Sequence, residues 1–490
     1  MSFDAPLLVT FLAYLLLILY LGVKAYRRTH DLGDYILGGR KLGSLVTALS
    51  VGASDMSGWL LLGLPGAIYL AGISEIWIGI GLVIGAYFNW LFVAKPLRVF
   101  SQEANNSLTL PDYFENRFND KSRILRVISA IVILIFFTFY TASGLVGGAI
   151  LFENSFGLQY STALLIGAFI IVAYTFVGGF LAVAWTDAIQ ALLMLAALLI
   201  APLAVINWAG GADVVIQQMR EVNSDSTSLF ANVTFIGFVS LIAWGLGYVG
   251  QPHILARFMA AESPRKLESA RRIAMSWMII VLIGSVTTGL AGIAYFADEP
   301  LANPETVFIA LSQTLFNPWI AGIITAAILS AIMSTIDSQL LVSSSVISED
   351  FYRVFVRQDA SQKELLLVSR IAVIVIALMA LAIASDRESR VLDLVSYAWA
   401  GFGAAFGPVI VFSLFWRNMT ALAAVAGMII GAVTVVIWSN ISGGIFELYE
   451  IVPGFLFASI AIVAISVLKP EKNEPTLAQY DDVKGLLVAS

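Results

Sequence analysis

The stretch Ser50-Val-Gly-Ala-Ser-Asp-Met-Ser-Gly-Trp59 lies in the middle of an apolar segment that covers residues 43–70. It contains three serines and one carboxylate, Asp55, and that carboxylate lies between Gly52 and Gly58. A glycine inside a helix costs about 1 kcal/mol relative to alanine, so we predict that the helix is interrupted here. Because a carboxylate at bilayer depth is costly, it indicates a functional site. The stretch therefore predicts half of a binding site for a cation and a small polar solute.

The composition is that of a membrane protein. Of the 490 residues, 59% are hydrophobic and 12% are charged, whereas soluble domains carry about 25% charged residues. The chain has no cysteine and two histidines, which excludes disulfides, thiolate sites and a histidine-based metal cluster. The formal net charge of −6 gives no reason to expect a nucleic-acid partner. Since no nucleophile–base pair or metal motif is present, we expect an all-α polytopic membrane protein that is not an enzyme.

A helix that crosses the bilayer needs about 20 mostly apolar residues. The sequence predicts thirteen such transmembrane helices. They cover residues 6–26, 43–70, 74–95, 124–152, 160–180, 182–208, 231–252, 274–297, 318–349, 367–385, 391–416, 419–438 and 451–468.

The basic residues predict how these spans are oriented. With the N-terminus outside, 24 of the 27 Lys and Arg residues fall in inner loops, as the positive-inside rule requires. We therefore expect an outer N-terminus and a cytoplasmic C-terminus. The predicted parts are a peripheral helix with its inner loop, a ten-helix transport core in two halves, two peripheral C-terminal helices, and a polar cytoplasmic tail that is disordered. They cover residues 1–42, 43–416 (halves 43–208 and 231–416), 417–468 and 469–490.

A second interruption is predicted in the seventh span, at Trp244-Gly-Leu-Gly-Tyr-Val-Gly-Gln-Pro252. Paired broken helices in corresponding positions of two halves are typical of transporters with an inverted repeat. Five spans separate the starts of the two interrupted elements, and five is odd, so the halves must point in opposite directions across the membrane. The pattern predicts a five-plus-five inverted repeat with three peripheral helices.

Two adjacent hydroxyls in the ninth span form a candidate cation site. Ser334 and Thr335 follow Ala331 by about one helical turn. Hydroxyl oxygens and a freed backbone carbonyl make a hard, oxygen-only ligand set, and neutral oxygens suit a monovalent ion that must be released again. The alternative is that these hydroxyls bond back to the preceding turn of their own helix.

Three intramembrane carboxylates are candidates for coupling or for a second ion. Asp55 could attract Na⁺ or hold Ser57 and the opened backbone in place. Asp187, Asp337 and Ser338 could form a second cation site or an ion exit route. The alternatives are structural pairing of Asp55 with a neighbouring hydroxyl, and a polar clamp between helices for Asp187 and Asp337.

Aromatic residues at the second interruption are candidates for a substrate pocket. Trp244, Tyr248 and Pro252 recur at four-residue steps, so a regular helix would place them on one face, where an indole and a phenol could enclose a small ring. Tyr140 in the fourth span is a further candidate for the pocket wall. The alternative is aromatic packing between helices.

Three other polar residues are predicted on the inner side. Arg40 ends the inner loop before the second span. The alternative to a functional role for Arg40 is that its charge only sets the orientation of the spans. His253 and Arg257 are predicted to be inner-surface residues.

Taken together, the chain resembles the sodium–solute symporter family over nearly all of residues 1–470. The resemblance is carried by Asp34-Tyr-Ile-Leu-Gly-Gly-Arg40, the stretch from Thr47 to Trp59, residues 176–187, Trp244-Gly-Leu-Gly-Tyr248, Gly250-Gln-Pro-His-Ile-Leu-Ala-Arg-Phe258 and residues 396–408.

The resemblance implies a LeuT-like fold and Na⁺-coupled uptake of L-proline, with Na⁺ as the coupling ion and no organic cofactor. It implies that Asp55 is important for coupling and that Arg40 influences it from the inner side. The implied Na⁺ ligands are backbone oxygens of Ala53, Met56 and Ala331 with the hydroxyls of Ser334 and Thr335. The implied L-proline site comprises Ser57, Gly58, Tyr140, Trp244, Tyr248 and Pro252.

This interpretation places the protein in a bacterial cytoplasmic (inner) membrane, with L-proline, Na⁺ and the lipid bilayer as its partners and no obligatory protein partner. Two alternatives stay open at this point. One is a sodium-coupled symporter of the same fold for another solute, such as another amino acid, a sugar, pantothenate or sialic acid. The other is a membrane sensor or channel.

Overall fold

A computed structural model describes residues 5–26, 32–177 and 179–489. Within these ranges the regular elements are helices, apart from one isolated β-bridge between Leu42 and Ala261. Part of the first predicted inner loop, with Arg27 and Arg28, lies outside the described residues, as does Gly178 in the stretch 176–187.

Within the described residues, the first half of the chain contains eleven α-helices. They are α1 (Ala5–Tyr26), α2 (Leu32–Leu37), α3 (Ser44–Asp55), α4 (Leu64–Ala71), α5 (Ile76–Phe88), α6 (Ala94–Glu103), α7 (Leu110–Arg117), α8 (Ile124–Phe156), α9 (Tyr160–Val177), α10 (Phe180–Ala209) and α11 (Ala212–Val222).

The second half contains ten more. They are α12 (Phe235–Ile242), α13 (Pro252–Ala260), α14 (Lys266–Tyr295), α15 (Val307–Leu315), α16 (Pro318–Ser345), α17 (Gln362–Ala384), α18 (Val391–Phe415), α19 (Ala421–Trp438), α20 (Ile451–Leu468) and α21 (Glu474–Ala489).

Shorter helical segments of other pitch join these helices. The 3₁₀ segments are Gly38–Arg40, Ile73–Glu75, Ser224–Thr227, Ala243–Gly250, Pro304–Thr306 and Gly444–Glu447, and the π segments are Trp59–Gly63, Asn89–Val93 and Val346–Val356.

In the described part of the chain, ten helices are long and apolar enough to cross a membrane, and two bent pairs raise that number to twelve. The remaining predicted span, 160–180, corresponds to a shorter apolar helix over Tyr160–Thr175. The all-helical, many-spanning architecture is confirmed, while the count of thirteen stays a prediction.

The predicted interruption of the second span is confirmed. Helix α3 ends at Asp55, and a π segment over Trp59–Gly63 leads into α4. The two pieces are bent by 61° relative to each other. At Met56 the backbone has φ −80° and ψ 74°, far from helical values, so its carbonyl no longer points along the helix axis.

The interruption of the seventh span is also confirmed. Helix α12 passes into the 3₁₀ segment Ala243–Gly250, Gln251 is extended, and α13 begins at Pro252 with a bend of 43°. Proline has no N–H to donate to a preceding turn, and with Gln251 extended, Pro252 occupies the first turn of a new helix, where that N–H is not needed. A side chain at Gly245 would collide with the backbone of Gly81 on α5, which explains why glycine is needed there.

Helix α16 lies at the centre of the bundle, because it packs against α1, α3, α8, α10 and α17. Helix α3 packs against α10, α13, α14 and α16. The 3₁₀ segment Ala243–Gly250 packs against α5 and α18. These contacts bring the two interrupted spans and the predicted ninth span together in the interior.

The prediction of a disordered tail is wrong. Helix α21 occupies most of it, with Tyr480 and Val483 buried. The Tyr480 ring lies 5.0 Å from the guanidinium carbon of Arg117 and 5.7 Å from the Phe100 ring. Arg417 holds Asp481 in a two-pronged ion pair at 2.7 and 2.8 Å. The polar composition that indicated disorder is instead the outer face of a docked helix.

Candidate functional site

Two hydroxyls on α16 converge on one carbonyl oxygen of α3. The Ser334 hydroxyl donates to the Ala53 carbonyl at 2.7 Å, and the Thr335 hydroxyl lies 3.3 Å from the same oxygen. Ser334 also lies 3.1 Å from the Ala331 carbonyl. All four residues are buried. The arrangement is a cluster of neutral oxygens contributed by two helices, which suits a hard monovalent cation.

Both interpretations of the Ser334 hydroxyl hold in part. Its contact with Ala331 is the local bond to the preceding turn, and its shorter bond to Ala53 crosses to the interrupted helix. Met56, the remaining predicted ligand, is buried directly after the end of α3, where its N–H donates to the Gly52 carbonyl at 2.8 Å.

Asp55 joins the two interrupted spans. Its carboxylate accepts a hydrogen bond from the Tyr248 hydroxyl, and its second carboxylate oxygen is buried without a hydrogen-bond partner among the described residues. Its backbone carbonyl, released at the end of α3, accepts the Trp59 indole N–H at 3.0 Å and lies 3.4 Å from the Tyr140 hydroxyl. Tyr140 on α8 therefore lies at the same interruption as Ser57 and Gly58.

The prediction that Trp244, Tyr248 and Pro252 share one face is wrong. Residues 243–250 form a 3₁₀ helix, in which positions four apart are turned by about 120° instead of the 40° of an α-helix. The Tyr248 hydroxyl faces Asp55, whereas the Trp244 ring stacks on Tyr449 with ring centroids 5.4 Å apart.

His253 and Arg257 are fully interior, so their predicted place on the inner surface is also wrong. Arg257 forms an ion pair with Asp187 at 2.8 Å and donates to the Ser338 hydroxyl at 2.6 Å and the Ser50 hydroxyl at 2.7 Å. The signal that could have revealed this is the run Ile254–Phe258, in which one arginine lies among apolar residues. A cation in such a run needs a buried partner.

Asp187 and Asp337 are held by different partners. Asp187 is bound by Arg257 and by the Ser50 hydroxyl at 2.6 Å, whereas Asp337 accepts the Thr175 hydroxyl. Ser338 connects the Arg257 cluster to the cation site, because its hydroxyl donates to the Ser334 carbonyl at 2.7 Å. This geometry favours the clamp between helices, and a second ion site at these carboxylates stays a prediction.

Arg40 lies apart from the cation site. Its guanidinium binds the Asn106 side chain at 2.9 Å, the Ser107 carbonyl at 2.7 Å and the Met259 carbonyl at 2.5 Å. Burial, followed by the neighbouring charge of Arg98, lowers the pKa of Arg40 to about 10. Arg40 thus ties the loop after α6 to the end of α13.

The described residues include no group of three or more His, Asp or Glu side chains arranged for a metal ion. Two interrupted spans that meet at Asp55 and Tyr248, beside an oxygen-lined site between α3 and α16, define the class of the protein. It is a multi-pass membrane transporter built around broken spans.

The chain belongs to the sodium:solute symporter family, whose model matches residues 35–431. It is 56% identical to the sodium/proline symporter of Escherichia coli (strain K12), covering 96% of this chain and 94% of that protein. It is 50% identical to the high-affinity proline transporter PutP of Bacillus subtilis (strain 168), covering 96% and 99%.

Solved structures share the fold. A substrate-bound, outward-open Na⁺-coupled sialic acid symporter matches with a TM-score of 0.81 at 20% identity, covering 96% of this chain and all of that one. MhsT in complex with L-phenylalanine matches with a TM-score of 0.57 at 14% identity, covering 86% and 98%. The LeuT-like fold class is therefore confirmed. As a member of the sodium:solute symporter family, the protein is a symporter and not an enzyme.

Proposed function

We propose that the protein couples the inward movement of Na⁺ to the uptake of L-proline. The observation that carries this proposal is the 56% identity, over nearly the whole chain, to a sodium/proline symporter. The convergence of the Ser334 and Thr335 hydroxyls on the Ala53 carbonyl supports the proposal, because it provides a candidate Na⁺ site.

In this proposal Na⁺ binds between α3 and α16. Its ligands are the hydroxyls of Ser334 and Thr335 and the backbone oxygens of Ala53, Met56 and Ala331. The two hydroxyl oxygens lie within 3.3 Å of the Ala53 carbonyl oxygen, so one ion could contact all three. A bound cation links these oxygens, so ion binding favours the arrangement in which the two helices are close.

L-Proline binds at the same interruptions, and its site is formed by Ser57, Gly58, Tyr140, Trp244, Tyr248 and Pro252. Aromatic side chains suit the apolar ring of the substrate. Free N–H groups at the start of a half-helix suit its carboxylate. The secondary amine needs acceptors, such as the carbonyl oxygens released where the helices are broken.

The binding of the ion and the binding of the substrate are coupled because Asp55 lies between their two sites. It lies two residues after Ala53 and binds Tyr248 on the other interrupted span. If Na⁺ raises the affinity for proline, proline must raise the affinity for Na⁺ by the same factor. The membrane potential, worth about 2.3 kcal/mol per charge per 100 mV, together with low internal Na⁺, drives release inside.

The remaining polar residues support this cycle. Asp187 and Ser338, with Arg257, connect the Na⁺ site to the helix that follows the second interruption. Asp337 connects α16 to α9 through Thr175, and Arg40 acts from the inner side. The protein lies in a bacterial inner membrane with its N-terminus outside and its C-terminus in the cytoplasm. The transport core comprises residues 43–208 and 231–416, and neither an organic cofactor nor an obligatory protein partner is needed.

The test is uptake of labelled L-proline into proteoliposomes that contain the purified protein, with and without an inward Na⁺ gradient. We expect accumulation only with the gradient. Uptake that ignores the gradient would contradict the proposal. Unlabelled amino acids, sugars, pantothenate and sialic acid serve as competitors, and stronger competition by any of them than by proline would assign a different solute. Current without coupled uptake would indicate a channel.

A further inference from the structure

The imidazole of His253 is a buried polar group whose ring nitrogens find no hydrogen-bond partner in the part of the chain that the structure describes. The residue is fully buried. Buried polar atoms in native proteins are nearly always paired, so an unpaired one needs an explanation such as a ligand. The bonds around Asp55, Tyr248 and the cation site do not involve this ring.

The ring lies beside the interruption that the proposed substrate site uses. It packs edge-on against Tyr140, with centroids 6.0 Å apart, and against Phe137 at 5.6 Å. Tyr140 in turn reaches the Asp55 carbonyl with its hydroxyl. One tyrosine side chain, which itself belongs to the proposed substrate site, therefore separates His253 from the first interrupted span.

His253 is also the second residue of α13, a helix of nine residues that begins at Pro252. The first N–H groups of a helix point out of its N-terminal end, where the helix dipole favours an anion. In α13, Pro252 has no N–H, and the N–H groups of Ile254 and Leu255 both donate to the Gln251 carbonyl, at 3.1 and 3.0 Å. An anion here would therefore interact with the helix dipole and the His253 side chain, not with those two N–H groups. An unpaired imidazole and a helix N-terminus thus coincide at one place in the interior.

We propose that His253 binds the carboxylate of the transported amino acid by donating one ring N–H to it at the start of α13. This inference rests on the proposed function and adds a substrate-contacting residue to it. A neutral imidazole has one donor nitrogen, and a charged acceptor makes that hydrogen bond strong. The amine end of the substrate then faces the first interruption, where one Asp55 oxygen is without a partner among the described residues.

The test compares two competitors of labelled L-proline on purified protein in saturating Na⁺. L-Proline carries the carboxylate, and L-prolinamide replaces it with a neutral amide. We expect His253→Leu to weaken L-proline binding about tenfold or more and to leave L-prolinamide binding nearly unchanged, so that the wild-type preference for the carboxylate collapses. His253→Gln retains an N–H donor and should retain part of that preference.

Phe137→Leu is the matched control, because it alters the packing of the same ring without removing a donor. Phe137→Leu should weaken the binding of L-proline and of L-prolinamide by the same factor. Equal losses for both competitors in His253→Leu, or an unchanged preference in His253→Gln and His253→Leu, would overturn the inference. If His253→Leu does not fold, His253→Gln is tested alone. A partly reduced preference for L-proline over L-prolinamide then supports the inference, and an unchanged preference overturns it. A wild-type protein without Na⁺-dependent proline binding would instead contradict the proposed function.

Discussion

The carboxylate of Asp55, at the end of α3, accepts a hydrogen bond from the hydroxyl of Tyr248, in the 3₁₀ segment of the other interrupted span. This bond connects the two breaks directly. Asp55 lies two residues after Ala53, and the Ala53 carbonyl is the one that Ser334 and Thr335 contact. A change on the Tyr248 side therefore reaches the cation site through one residue.

Tyr248→Phe should weaken the binding of both L-proline and Na⁺. It removes the donor to a buried carboxylate, and a hydrogen bond to a charged group is worth about 1.5–3 kcal/mol. We expect the proline KM and the Na⁺ concentration for half-maximal uptake to rise together. Tyr113→Phe is the matched control, because Tyr113 is equally buried but contacts Ser413, at 3.1 Å. A Tyr248→Phe protein with wild-type values for both ligands would refute the shared role of Asp55.

The Arg257–Asp187 pair should matter for stability. Removing one partner of a buried ion pair costs about 3–5 kcal/mol, because the other charge stays buried. Arg257→Gln should therefore lower the unfolding temperature of the purified protein strongly. In the double variant Arg257→Gln with Asp187→Asn, the loss should be smaller than the sum of the two single losses.

Arg417→Gln is the comparison for that experiment. It breaks an ion pair whose side chains are about half exposed, and such pairs contribute little. Equal effects of Arg257→Gln and Arg417→Gln on the unfolding temperature would disagree with the buried clamp.

The docked tail gives a separate prediction. Tyr480→Ala removes the ring that packs on Arg117 and Phe100, so α21 should detach and trypsin should cleave the tail faster. Asp482→Asn, at an exposed position on the same helix, should leave cleavage unchanged. A cleavage rate for Tyr480→Ala equal to that of the wild type would argue against docking.

The docking of α21 should also weaken in acid. The hydrogen bonds from Arg417 lower the pKa of Asp481. The folded pKa lies below the ordinary value of about 4, so the contribution of the pair is present above that value and is lost as the pH falls through the lowered pKa. Asp481→Asn should remove this part of the acid sensitivity, which a spin label on α21 can follow.

Local chemistry decided what the sequence could predict. Gly52 and Gly58 weaken a helix, and Pro252 with Gly245, Gly247 and Gly250 just before it disfavours one, so both interruptions were predicted from sequence. The Ser334–Thr335 pair was identifiable as a candidate because its oxygens are adjacent in the chain. The family resemblance added Ala53 and Met56 as Na⁺ ligands and Ser57 and Gly58 as substrate residues.

What the sequence did not predict depends on tertiary contacts. The burial of Arg257 follows from Asp187 and Ser50, which are distant in the chain. The docking of α21 follows from Arg117 and Arg417 in the same way. The face of Trp244 depends on the switch to a 3₁₀ helix, and helical periodicity alone assumes 3.6 residues per turn.

The central claim is that one Na⁺ joins α3 to α16 at Ser334, and the Na⁺ activation curve of proline uptake in Ser334→Ala tests it most directly. We expect half-maximal activation to require about tenfold more Na⁺ or higher, since a lost ligand worth about 1.4 kcal/mol corresponds to tenfold. Ser330→Ala, which removes a buried hydroxyl that donates to the Ala326 carbonyl one turn earlier on the same helix and does not contact Ala53, should behave as wild type, and Trp244→Ala should shift the curve less than Ser334→Ala does. Identical Na⁺ curves for Ser334→Ala and Ser330→Ala would contradict the account.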